Sequence, residues 1–337
     1  MRGADPWSLP AARQFLTEIE PLVWKGGAVI CCDASTPPGL AARLITHLRE
    51  TVPVERVNPA PGQLPLAVLG EACGLPGATT ARIVASGRVL LIEAQELPVA
   101  DLARWAHVLT EFAACFGKAD DGGALLFLGD AGVPGFGRLE WSRRLRRVDA
   151  MIWAEFAVPS GRNDLLQRLA VDLAVELCGW RLDLVADLVS QRVEDILNPM
   201  GWLQRHADQA ISAQISFGLT AFACPLHLLA RGDQVELRRR IWTAQLSVLF
   251  PWIEGHRQRL IKRHRKHLYL DEHLKALGVA SVEDIELGGL RRQLGRVLVR
   301  DEAEQVAALA NLRNDLAHRK PIAVEDFHLA IQMRGED

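Results

Sequence analysis

Three runs in the first 130 residues, "GAVICC" (27–32), "RVLLIEA" (88–94) and "GALLFLGD" (123–130), are apolar at consecutive rather than alternate positions. A strand of that kind must be covered on both faces, which a sheet open to water on one side does not provide. Between the runs lie helical segments. "LAARLITHLRE" (40–50) places Leu40, Ala41, Leu44, Ile45 and Leu48 on one face, and "PVADLARWAHVLTEFAACF" (98–116) opens with Pro98 at a helix start. Strands alternating with helices predict a parallel sheet with helices on both sides. "RRVDAMIWAEFAVP" (146–159) reads as a fourth strand.

From about residue 160 the strand pattern stops and a helical period takes over. Gly179 marks a break between two helices, Pro251 an interruption or kink in a long one, and Ser281 with Asp284 a capping pair. The segment 211–230 has no Asp, Glu, Lys or Arg, yet Ser212, Gln214, Ser216, Thr220 and His227 recur in it. It predicts a buried helix pair broken at Pro225 rather than a membrane span.

Composition narrows the function classes. With 49% apolar and 24% charged residues and a net charge of −2, the chain as a whole favours neither nucleic acid nor an acidic partner. Its six cysteines form no C-x-x-C pair, so neither a metal site nor a cofactor is expected. Asp5, Pro6 and Glu18 interrupt the opening residues where an export signal needs an apolar run, and a cytoplasmic location is expected.

The order of strand, loop and helix at 27–50, with further strands at 88–94 and 123–130, resembles the P-loop ATPase core of AAA and STAND proteins. The phosphate loop of that family reads G-x-x-x-x-G-K-[ST], in which backbone amides wrap the phosphates and the lysine reaches the terminal ones. Here the loop is "CDASTPPGLAA". With Asp33 at the first glycine, Pro38 falls at the second, Gly39 at the lysine and Leu40 at the hydroxyl. Two prolines remove amide donors, and Asp33 adds negative charge where a triphosphate would lie. Ser35 and Thr36 are the hydroxyls in place. On the matching second strand Glu93 can hold a metal, but Ala94 replaces the residue that activates water. The resemblance implies an inactive ATPase-like domain over 1–159 and a helical lid over 160–230.

"RNDLAH" (313–318), after the apolar "VAALANL" and downstream of "IELGGLRRQL", resembles the R-x4-H motif of the HEPN superfamily. That implies an all-helical domain over 231–337, a dimer and metal-independent RNA cleavage. Many toxin-type members carry tyrosine two positions after the histidine, where this chain has Lys320. The chemistry suits the residues. A histidine changes charge near neutrality, so His318 can move a proton; Arg313 can fork onto a phosphate, and Asn314 can orient either side chain. "RQRLIKRHRKH" (257–267) adds Arg257, Arg259, Lys262, Arg263, Arg265 and Lys266 as phosphate contacts. Leu260, His264 and Leu268 are spaced to face inward beneath them, and Trp242 and Trp252 read as core. The alternative reading of Arg313 and His318 is a structural clamp at a helix start. The combination resembles regulators and effectors of bacterial defence or stress systems acting on RNA. The alternative is a non-enzymatic module that dimerises or docks onto a partner such as an active ATPase.

Overall fold

The computed structural model describes residues 5–116, 122–134, 136–210, 214–217 and 220–332. The chain divides into two units, residues 1–152 with 213–222, and residues 153–212 with 223–337.

The first unit opens with α1 (Pro10–Val23), β1 (Gly27–Cys31) and α2 (Leu40–Leu48). Then come β2 (Val54–Val57), α3 (Pro65–Ala72), α4 (Thr80–Val84), β3 (Val89–Glu93) and α5 (Val99–Phe116). β4 (Ala124–Leu128) and β5 (Gly137–Glu140) complete the sheet. The five strands lie in the order β2-β3-β4-β1-β5, every neighbouring pair parallel. The three runs legible in the sequence are its centre, and Ile30, Leu91, Ile92, Leu126 and Phe127 are buried. Gly27 admits no other residue: at φ 118°, an added Cβ would lie 1.9 Å from the Leu125 carbonyl oxygen on β4.

The residues expected to form a fourth strand are instead helical, as α6 (Arg147–Ala157). Its run is too long for a strand, and burial recurs at Ala150 and Ala154, one helical turn apart, while Met151 and Phe156 are exposed. The edge strands come from "VERV" and "GRLE", short segments with exposed polar residues. β2 and α3 arise from a Pro/Gly-rich stretch, residues 53–78, in which no strand pattern is legible, and α4 follows it.

The second unit contains α7 (Asp164–Cys178), α8 (Leu182–Val189), α9 (Val193–Leu197) and α10 (Met200–Arg205). Asn163 caps α7 by accepting from the Leu165 amide, and Gly179 ends it at φ 57°. Part of the segment expected to be a helix pair forms a two-stranded sheet, β6 (Gln214–Phe217) with β7 (Thr220–Ala223), whose residues up to Phe222 belong to the first unit, and α11 (Pro225–Ala230) follows in the second. Phe217 and Phe222 meet edge to face across the two strands, and Pro225 starts a helix rather than breaking one. Among the described residues no helix is long and apolar enough to cross a membrane.

α12 (Gln234–His264) runs for 31 residues and continues through Pro251. It packs against α7 and, further on, against α14 (Leu287–Leu294) and α15 (Arg300–Ala317), after the short α13 (Glu272–Ala276); α16 (Val324–Ile331) packs on α15. Its buried stripe of Leu237, Ala244, Leu249, Ile253 and Leu260 also carries Arg240, Gln245 and His256. Ser281 and Asp284 form the expected reciprocal cap, on a single 3-10 turn ahead of α14.

Candidate functional site

In an open parallel sheet, ligands bind beyond the carboxyl ends of the strands, where successive connections leave in opposite directions. Here that point lies between β1, whose chain leads towards β2, and β4, whose chain leads to β5. A cleft of about 400 Å³ lies on the β1 side of that point, between the loop after β1 and the ends of β2 and β3, lined by Cys32, Thr36, Gly39, Arg56, Glu93 and Gln95.

The loop after β1 is closed on itself. The Asp33 carboxylate accepts both the amide (2.8 Å) and the hydroxyl of Ser35. The Asp33 amide donates to Thr36 Oγ1 and the Thr36 amide to the Asp33 carbonyl, each at 3.0 Å. Two buried tryptophans hold it in place: Trp7 Nε1 donates to the Pro38 carbonyl at 2.8 Å, and Trp141 Nε1 to Ser35 Oγ at 3.0 Å. The rings of Trp7 and Trp141 meet edge to face at 5.7 Å. Amides that would otherwise be available to phosphate are bonded to the loop's own oxygens, and the anion in the loop is its own carboxylate. Gly39 takes a left-handed conformation (φ 78°) as α2 begins.

Glu93 is paired with Arg56 of the neighbouring strand β2, which raises the Arg56 pKa through that hydrogen bond. The cleft's guanidinium is thus already neutralised. Burial pushes the Cys31 and Cys32 thiols up to about 11, leaving both protonated at neutral pH. Among the described residues no cluster of His, Cys, Asp and Glu could hold a metal ion.

In the helical unit, the R-x4-H residues lie at the C-terminal end of α15, not at a helix start as expected. His318 is the C-cap residue. The next residue, Arg319, turns left-handed (φ 54°), and the Arg319 and Lys320 amides donate back to the carbonyls of Leu316 (3.3 Å) and Asp315 (2.9 Å). This is the paired closure by which a helix satisfies its last carbonyls, with arginine where glycine is usual. Trp242 of α12 fixes the end from outside: its indole donates to the Leu316 carbonyl at 2.7 Å, and the Arg319 guanidinium lies 4.7 Å from its ring centroid. Trp242 and Trp252, expected in the core, are half-buried.

Arg313 pairs with Glu286 at 3.1 Å, so the two sequence motifs meet within one chain. Both partners stay partly exposed, at 35% and 61%. Asn314 and His318 are exposed. Four residues apart, they share a helical face, whereas Arg313 lies five residues from His318, about 140° around the helix. Burial raises the Asp315 carboxyl beside them, partly opposed by Lys320.

The basic run is only partly available. Arg257 is bound to Glu254 and to the carbonyls of Glu283 (2.6 Å) and Ile285 (2.9 Å), making it a staple for the turn before α14. Arg263 pairs with Glu302, and Arg265 with Glu283, each at 3.2 Å. Arg259, Lys262 and Lys266 are exposed and carry no ion pair among the described residues. Leu260 is buried beneath the run and His264 partly so, as their helical spacing predicts; Leu268 is also buried, but it lies past the end of α12 in extended backbone, so the helical stripe does not reach it. Trp242, which marks the end of α15, and Lys262 are twenty residues apart on α12, or about 30 Å. One chain does not bring the free cations to His318. Comparison with family models, with curated proteins and with solved structures finds no match for this chain.

Proposed function

We propose that this chain is a regulatory protein whose α/β unit is an ATPase-like scaffold without nucleotide turnover, and whose helical unit carries the working surface at the end of α15. The closed loop at 33–39 carries the reading, because a triphosphate would have to displace Asp33 from the loop and find a cation that the cleft does not offer. Incubation of the full chain with magnesium and ATP is expected to release no phosphate. Tight uptake with turnover would overturn the scaffold.

For the helical unit, a HEPN-like nuclease acting as a dimer is supported by the exposure of Asn314 and His318 on one face. It is also supported by the shallow Arg313–Glu286 pair, whose net worth of about 0–1 kcal/mol a substrate phosphate can replace. RNA incubated with the protein in EDTA is then cut, and Arg313→Ala and His318→Ala each lower the rate about 100-fold or more. The second reading, a non-enzymatic module that dimerises or docks onto a partner such as an active ATPase, is favoured by the same ion pair acting as a clamp. It expects no cleavage by the dimeric or partner-bound protein, and a small stability loss in Arg313→Ala alone.

A further inference from the structure

At the β5 edge of the sheet, a cleft of about 450 Å³ lies between the start of α1 and the chain that joins β5 to α6. Four arginines line it, Arg138, Arg143, Arg144 and Arg146. Two are committed. Arg138 binds Asp130 (3.1 Å) and Glu140 (2.9 Å), while Arg144 binds Glu18 (2.8 Å) and the Glu140 carbonyl (2.7 Å) and lies over the Phe15 ring. These bonds neutralise the carboxylate of Glu140 on the cleft wall. Arg143 and Arg146 are exposed and have no ion pair among the described residues, so the cleft keeps two guanidiniums uncommitted.

The loop that displays them is rigidly framed. Trp141 is fully buried, and its amide donates to the Cys31 carbonyl at 2.9 Å. On the other side Asp149, 1% exposed, accepts from the amides of Arg146 and Ala11 at 3.0 Å each. Between these anchors Arg143 is held at φ 65°, a left-handed conformation that glycine adopts freely and arginine does not. A surface arginine needed only for solubility has no use for such a position. Strained residues of this kind gather where a side chain must be presented to a ligand.

We propose that this cleft binds a phosphate-bearing small molecule, its phosphate gripped by the forked guanidiniums of Arg143 and Arg146. The planar fork matches phosphate oxygens, and the volume is that of a small-ligand pocket rather than a macromolecular groove. The site does not depend on the loop after β1, so it stands whether or not that loop excludes nucleotide.

Isothermal titration of the full chain with pyrophosphate at low ionic strength tests it. Saturable binding is expected. Arg143→Gly, which relieves the positive φ and so leaves the unfolding temperature no lower, should weaken it at least tenfold, as should Arg146→Ala. Arg49→Ala, at an exposed arginine that caps the C-terminal end of α2 and does not line the cleft, should leave it unchanged. Absence of saturable binding, equal binding by Arg143→Gly, or an equal loss in Arg49→Ala overturns the site. So does a single-stranded oligonucleotide that binds where pyrophosphate does not, since the ligand is then a nucleic acid.

Discussion

Replacing Arg240 with Ala is expected to lower the stability of the helical unit by about 3–5 kcal/mol, measured as a shift of its urea midpoint. Arg240 is 3% exposed on α12 and ties three parts of the unit together. Its Nε donates to Glu236 at 2.8 Å, and its Nη1 to the carbonyls of Leu177, at the end of α7 (3.3 Å), and Ala223, at the end of β7 (3.0 Å). Truncation leaves the buried Leu177 carbonyl and the half-buried Ala223 carbonyl short of a donor and opens a cavity where the side chain packed. Glu236 keeps Arg239, whose hydrogen bond is the largest cause of its depression to about 2, so the carboxylate itself is not orphaned. Arg240→Met fills most of the space without restoring the donors, and should recover about 1–2 kcal/mol of the loss. An Ala variant within about 0.5 kcal/mol of the parent would show that water replaces the guanidinium at no cost.

Legibility in this sequence followed burial on both faces. β1, β3 and β4 have neighbours on each side, and their apolar runs announced them. β2 and β5 pair on one side only, so nothing forced "VERV" or "GRLE" to be apolar, and their exposed polar residues removed the signal. α6 failed for the opposite reason: its consecutive apolar residues imitate a buried strand, although of these Ala150 and Ala154 are buried while Val148, Met151 and Phe156 are exposed.

The same limit applies to the candidate sites. The missing lysine in "CDASTPPG" was visible, because it is a local fact. That Trp7 and Trp141 pin the loop was not, since each approaches from a distant part of the chain. "ELGGL" and "RNDLAH" were both visible, but the bond between Glu286 and Arg313 appears only once α14 lies against α15. "WSRRLRR" (141–147) held a basic run dense enough to notice. What distinguishes Arg143 within it is a backbone angle, which charge counting does not register.

His256 makes stability fall as pH drops from about 6.5 towards about 4, by up to about 3 kcal/mol across that range. It is 5% exposed in the buried stripe of α12, with Trp252 edge on at 4.5 Å. Burial pushes its pKa down to about 4, and the nearby positive charge of Arg259 adds to the shift. The unfolded chain, with an ordinary imidazole, therefore binds the proton first. Stability is intact above about pH 6.5 and is lost progressively until the folded form also protonates near about pH 4. Glu236 acts lower down, where its stabilisation is lost as pH falls from the ordinary glutamate range towards about 2. Urea unfolding across the upper range should show a slope of up to about 1.4 kcal/mol per pH unit from His256, absent in His256→Leu. If the two slopes coincide, proton uptake by His256 does not drive the loss, and the imidazole must reach water in the folded chain.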